Sequence, residues 1–138
     1  MSYWIFVIKD TPEEFAKRMQ IRKWPIFKKT QNRRNLRTGD KIIFYKAGAN
    51  GKKFLGKALI ASELEQVDQF TYSLKLSEIE VWEKPVELAN VLNDLDFISD
   101  KLYWGRYFQG GVRSLSEKDY STIVSKSTPN FTVSDRQV

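Results

Sequence analysis

Between Lys17 and Lys41 the chain places ten lysines and arginines against one acid, Asp40. That window carries +9 against a whole-chain charge of +6, so the remainder sums to about −3. A basic patch on a nearly neutral body is the footprint of a polyanion binder. The plain alternative is a solvated surface that aids solubility. Trp24 lies inside the window, with Arg22 and Lys23 before it and Lys28 and Lys29 after it. Lysine and arginine neutralise phosphates, while an aromatic ring stacks on an unpaired or flipped base. The candidate backbone-binding set is therefore Arg22, Lys23, Lys28, Lys29, Arg33 and Arg34. The candidate base pocket is Trp24 and Tyr45, with Trp4 or Phe108 as a further wall and Arg113 as a phosphate or base ligand. Each has a structural alternative: a plug closing a barrel end for Trp24, core packing for Trp4 and Tyr45, a surface strand position for Arg113. Trp82 and Trp104 are read as structural.

The chain has no histidine and no cysteine. This excludes disulfides, thiolate catalysis, Ser-His and Cys-His pairs and any ordinary zinc site. No phosphate loop, dinucleotide glycine motif or nucleophile elbow is present. No Glu-x-Lys or Asp-x-Lys element follows an acid as a metal-dependent nuclease needs. Glu63/Glu65 and Glu78/Glu80 lie at strand spacing and read as solvated faces. No catalytic residue, metal or cofactor is assigned, and binding rather than turnover is expected. An enzyme on this chain would have to use lysine, tyrosine and aspartate, for example Lys46 or Asp40.

A length of 138 residues suits one domain with one sizeable core. The reading is a domain over 1–126 and a tail over 127–138, with disorder expected from Asp135 to Val138. No apolar run approaches the roughly 20 residues that cross a bilayer. Met1-Ser2-Tyr3-Trp4 begins strand-like, without a secretory leader, so a cytoplasmic protein is expected.

The elements that must position these groups are centred on Leu36–Lys46. Thr38-Gly39-Asp40 is turn chemistry, followed by the unbroken apolar run Ile42–Tyr45. With Ile43 and Tyr45 on one face and Ile42 and Phe44 on the other, this strand must be buried on both sides. Tyr3–Lys9 predicts a strand ending at Asp10, and Thr11-Pro12-Glu13-Glu14 a capped helix reaching about Met19. Ile21–Arg37 has no clean period; Trp24-Pro25 suggests an extended turn and Gln31–Asn35 a short helical one. Phe54–Leu64 should pair with the central strand, and Gly56 marks a bulge or close approach. In Phe70–Leu76 the residues Phe70, Tyr72, Leu74 and Leu76 point one way. The pattern restarts at Ile79, which predicts a bulge at Ser77-Glu78. Pro85 is expected to stop that strand. Pro85–Asp94 reads as a helix-like or irregular packing segment, and Ser99–Trp104 as a short helix. A Gly110-Gly111 turn, a strand over Val112–Leu115 and a helix capped by Ser116 follow. Together these predict an α+β fold, a small mixed barrel of about six strands flanked by helices, with an open sheet as alternative.

Taken in order, Tyr3–Val7, the Trp24 loop, Asn35–Tyr45, Leu55-Gly56-Lys57-Ala58 and Phe108–Tyr120 resemble the EVE domain family, a PUA-like branch related to YTH and ASCH domains. The resemblance spans about residues 3–124. It implies a β-barrel flanked by helices, a cleft that reads nucleic acid (DNA or RNA) at a modified base, and no catalysis. By position it carries the family's loop tryptophan onto Trp24, its Gly-Asp turn onto Gly39-Asp40, its strand aromatic onto Tyr45 and its late arginine onto Arg113. Many bacterial members have histidine after that strand tyrosine; here the residue is Lys46, so no histidine-dependent step carries over. A general RNA-binding module without base preference is the alternative.

Overall fold

The computed structural model describes residues 1–9, 11–127 and 131–133. Aromatic and β-branched residues make Tyr3–Ile8 strand β1; the expected end at Asp10 lies outside the described residues. Helix α1 spans Pro12–Ile21, started by Thr11, whose Oγ1 accepts from the Glu14 amide at 3.3 Å. It runs two residues past Met19 because Arg22 closes it in the left-handed region, its amide returning to the Arg18 carbonyl. The tryptophan loop is in fact extended: Lys23–Phe27 forms β2. Pro25 is tolerated because β2 is an edge strand, bonded only to the later strand Thr71–Glu87. A single 3₁₀ turn at Arg33–Asn35 then leads into β3, Lys41–Lys46.

β4 (Lys53–Ile60) pairs antiparallel with β3. It is shorter than expected, and a two-residue β5, Glu65–Gln66, follows. β6 is one strand of 17 residues, Thr71–Glu87. The bulge at Ser77-Glu78 is present: Glu78 has φ 48°, and Lys57 faces Glu80 while Leu59 faces Ser77. Pro85 does not stop the strand, because it falls where the β4–β6 ladder is already broken, between Gly56↔Val81 and Phe54↔Val86. A Cβ on Gly56 would lie 2.2 Å from the Glu80 carbonyl oxygen, so only glycine fits there.

Two 3₁₀ turns, Leu88–Asn90 and Leu92–Asp94, open the packing segment. The turn expected at Ser99–Trp104 instead occupies Trp104–Phe108. Gly110 and Gly111 take φ of 89° and 80°, leading to β7 (Val112–Leu115) and α2 (Glu117–Ser125). A further strand, β8 at Phe131–Val133, pairs with β6 across Ile79–Val81, a pairing not read from the polar sequence after Ser127. The segment Asp135–Val138 lies outside the described residues.

The sheet order is β2-β6-β4-β3-β1-β7, with β5 and β8 added on β6; β1 and β3 are parallel and the other pairs antiparallel. The bulged β6 curls this sheet into a half-barrel, an α+β architecture with two α-helices among the described residues. Each face has its own core. Trp4, Phe6, Phe15, Met19, Trp24, Ile42, Phe44 and Leu74 fill the concave side under α1. Ile5, Ile43, Tyr45, Phe54, Trp82, Leu95, Phe108 and Ile123 fill the other, under the 88–108 segment and α2. The expected burial of β3 on both sides follows: Ile42, Ile43, Phe44 and Tyr45 are at most 1% exposed.

Candidate nucleic-acid interface

The Thr38-Gly39-Asp40 turn does structural work. Gly39 has φ 93°, and Asp40 is 3% exposed. Its Oδ1 accepts from the Ser2 amide at 3.0 Å; its Oδ2 accepts from Trp4 Nε1 at 2.9 Å and the Arg37 amide at 3.0 Å. With these three donors the carboxylate ties the start of β1 to the turn before β3. That consumes Trp4, which is 5% exposed with its indole N–H satisfied.

Trp24 lies on the same concave side. It is 3% exposed and stacks on Phe44 at 4.9 Å and 27°, with Phe6 and Phe15 around it. The Arg18 guanidinium covers the ring at 4.6 Å. Residues of alternate parity on a strand point to opposite faces, so Tyr45, one residue beyond Phe44, belongs to the other core. The four sequence-nominated rings therefore do not meet. Trp4 and Trp24 pack in one core, and Tyr45 and Phe108 in the other.

Tyr45 and Phe108 do come together, stacked at 3.9 Å and 16°. They wall a cavity of about 280 Å³ with Trp104, Ala47, Gly105 and Gln109, and Lys9 and Lys52 line it as well. Trp104 is half-buried and packs edge-on to Phe108, with the Lys52 ammonium 5.9 Å from its ring. The Tyr45 hydroxyl is buried without a hydrogen-bond partner, alone in that respect among the described side chains. Burial pushes its phenol well above the ordinary range, so it stays protonated and is a donor, not a base. Trp104, read as structural from the sequence, lines this cavity at the start of the 3₁₀ turn that also carries Gly105 and Phe108.

A second, larger cleft of about 870 Å³ shares Lys9 with this slot and adds Lys46, Arg18 and Glu14. Arg18 Nε donates to Glu14 Oε2 at 2.8 Å. The remaining nominated cations lie elsewhere. Arg22 caps α1, and Lys23, Lys28, Lys29 and Arg34 are exposed. Arg33 donates to the Lys28 carbonyl at 3.1 Å and lies over Tyr72. Arg113 is half-buried and donates to Gln31 Oε1 at 3.4 Å. Asn32 Nδ2 donates to the Val112 carbonyl at 3.1 Å, so the basic loop spans from β2 to β7. No group of histidine, cysteine or acidic side chains able to hold a metal occurs among the described residues. No helix among them is long and apolar enough to cross a membrane.

The chain matches the EVE domain model over residues 2–126. It is 28% identical to the UPF0310 protein PH1033 of Pyrococcus horikoshii, covering 89% of this chain and 97% of that protein. Among solved structures, the N-terminal domain of Staphylothermus marinus McrB superposes with a TM-score of 0.64 at 14% identity, covering 90% of this chain and 93% of that one. Human THYN1, solved in complex with DNA containing 5-methylcytosine, superposes with a TM-score of 0.60 at 10% identity, covering 91% and 96%. ASCH from Zymomonas mobilis gives 0.61 at 13% identity, covering 92% and 96%. On the family match over nearly its whole length, and with a half-barrel of the PUA-like type, the chain belongs to the EVE domain family.

Proposed function

We propose that this protein is a non-catalytic nucleic-acid-binding module that takes a base, modified by methylation, into the slot of Tyr45, Phe108 and Trp104. The observation that carries the reading is the buried, unpartnered hydroxyl of Tyr45, a residue that lines an aromatic cavity flanked by lysines. Buried polar groups are almost always satisfied, and an exception calls for an explanation. A base edge supplies the missing partner, the aromatic walls supply stacking, and Lys9, Lys46 and Lys52 meet the phosphates. The THYN1 complex supports the same class of ligand for a protein of this fold. The loop cations Lys28, Lys29, Arg33 and Arg34 steer and hold the backbone, joined by Arg113 on β7 beside Gln31 and by Arg22 ahead of β2. Trp24 and Trp4 serve the site only by holding the half-barrel together.

The test is a tryptophan-fluorescence titration with short single- and double-stranded DNA and RNA, with and without cytosine or adenine methylation, at two salt concentrations. Tighter binding to one methylated strand, with the preference abolished in Tyr45→Phe and Trp104→Ala, supports the slot. Preference that survives both changes removes it. Salt-sensitive binding blind to methylation points instead to a general nucleic-acid binder working through the basic loop.

A further inference from the structure

Among the described side chains, two phenylalanines belong to neither core. Phe27 is 58% exposed and Phe70 is 63% exposed. The alternation of Phe70, Tyr72 and Leu74 would have turned Phe70 inward, but Asp68 Oδ1 accepts from the Phe70 amide at 2.8 Å and holds it in a turn ahead of β6. The Lys28 amide donates to the Phe70 carbonyl at 2.8 Å, so the two phenylalanines stand on adjoining backbone.

The surface next to them is cationic. Lys28, Arg33 and Arg34 line a recess of about 340 Å³ with Thr30, Asn32 and Asn35, and its lining contains no acid. Arg33 is held in place there by the Lys28 carbonyl and the Tyr72 ring, 4.6 Å away. Asp68, two residues before Phe70, is already engaged by the Phe70 amide. The same loop meets the chain just past the slot: Gln31 Oε1 lies 3.1 Å from where a Cβ of Gly110 would stand, two residues after Phe108.

We propose that Phe27 and Phe70 form a stacking platform for a single-stranded nucleic acid, with Lys28 and Arg34 on the phosphates between the platform and the slot. This rests on the nucleic-acid reading above but not on base capture by Tyr45. Exposed rings beside cations match the demands of an unpaired strand, whose base faces are free to stack. In a duplex those faces are covered by neighbouring pairs, so the platform selects single strands.

Fluorescence anisotropy decides it, with unmodified oligothymidylate and oligouridylate of about 10 nucleotides and a duplex of equal length. The variants are Phe27→Ser/Phe70→Ser, Lys28→Ala/Arg34→Ala and Tyr45→Phe, each checked for unchanged near-ultraviolet circular dichroism. The phenylalanine variant is expected to lose about 5- to 100-fold in affinity for single strands and little for duplex, with its salt slope unchanged. The cation variant should flatten that slope by about 1.4 for two lost phosphate contacts. Tyr45→Phe should cost less single-strand affinity than the phenylalanine variant. If it alone loses affinity, the slot captures bases and the platform does not exist. Equal losses on single strand and duplex, or no loss, overturn the platform. So does a phenylalanine variant that changes only the sedimentation of the protein, which would mark a self-association patch. As a gain-of-signal check, Phe27→Trp should show emission quenched by single strands and not by duplex.

Discussion

The two faces of β3 make the most useful comparison in the molecule. Phe44 points into the half-barrel, where Trp24, Phe6 and Phe15 close around it. Its polar neighbours are satisfied: the Trp4 indole N–H is bonded to Asp40, and Arg18 lies over Trp24. Tyr45, the next residue, points the other way into an equally aromatic core. There its hydroxyl has no partner and an open cavity begins. Both faces are equally dry at β3, so burial does not separate them. Satisfaction does. A region whose every polar group is paired is a scaffold, and one that leaves a buried donor unpaired beside a cavity is where a ligand gains most by binding.

The largest effect tests the scaffold side. Trp24→Ala should cost about 3–5 kcal/mol, the range for emptying a buried aromatic site, measured by urea unfolding. Trp104→Ala should cost far less stability while abolishing the fluorescence response to ligand. If the two variants exchange these behaviours, the faces have been assigned the wrong way round.

Asp40→Ala comes next. It strands the buried Trp4 indole N–H and two backbone amides, for a cost of about 2–4 kcal/mol. Asp40→Asn should recover part of this, because its amide oxygen still accepts. A catalytic Asp40 would instead show turnover of a nucleoside that vanishes in both variants without a matching loss of stability.

Tyr45→Phe sharpens the comparison with an opposite sign. Removing an unpaired buried hydroxyl while keeping the ring should raise stability by about 1 kcal/mol and weaken ligand discrimination. A loss of stability would mean that the hydroxyl is satisfied in the free protein, and the case for the slot would lapse.

The smallest effects are pH-dependent. Burial, then Tyr3 and Glu80, push the Tyr120 phenol up to about 12 from 10.0. Its contribution to stability is full below pH 10.0 and is lost as pH rises through about 12. Tyr45 has the same sign. Tyr107, on the edge of the slot's core, behaves oppositely. Hydrogen bonds from Ser99 and then Arg106 pull its phenol down to about 8, so its contribution is present above 10.0 and is lost as pH falls through about 8. Absorbance at the phenolate band should show one early tyrosine, absent in Tyr107→Phe, with Tyr120 and Tyr45 ionising only as the protein unfolds.

Much of the fold was legible in short windows of sequence. The Thr11 and Ser116 caps, the two-sided burial of Ile42–Tyr45, the close approach at Gly56 and the bulge at Ser77-Glu78 each depend on a few adjacent residues. β2 was not legible, because Pro25 and the surrounding charges hide a strand that exists only through its partner β6. Pro85 misled for the converse reason: the ladder it would have broken is interrupted there already.

By itself, then, the sequence determined the caps, the alternation, the bulge, the basic window and the absence of histidine and cysteine, because these are matters of local sterics, period and composition. The tertiary structure decided which aromatic residues are free to meet a ligand. Trp24, on sequence alone either a stacking ring or a barrel plug, is plugged into the half-barrel, while Phe70 looked inward and is held outside by Asp68. Tyr45 was nominated from the sequence beside Trp24, but the fold parts it from Trp24 and stacks it on Phe108, 63 residues away, with its hydroxyl unpartnered. Pattern assigns a residue to a face, but only long-range pairing decides what covers that face and which polar atoms it leaves unpaired.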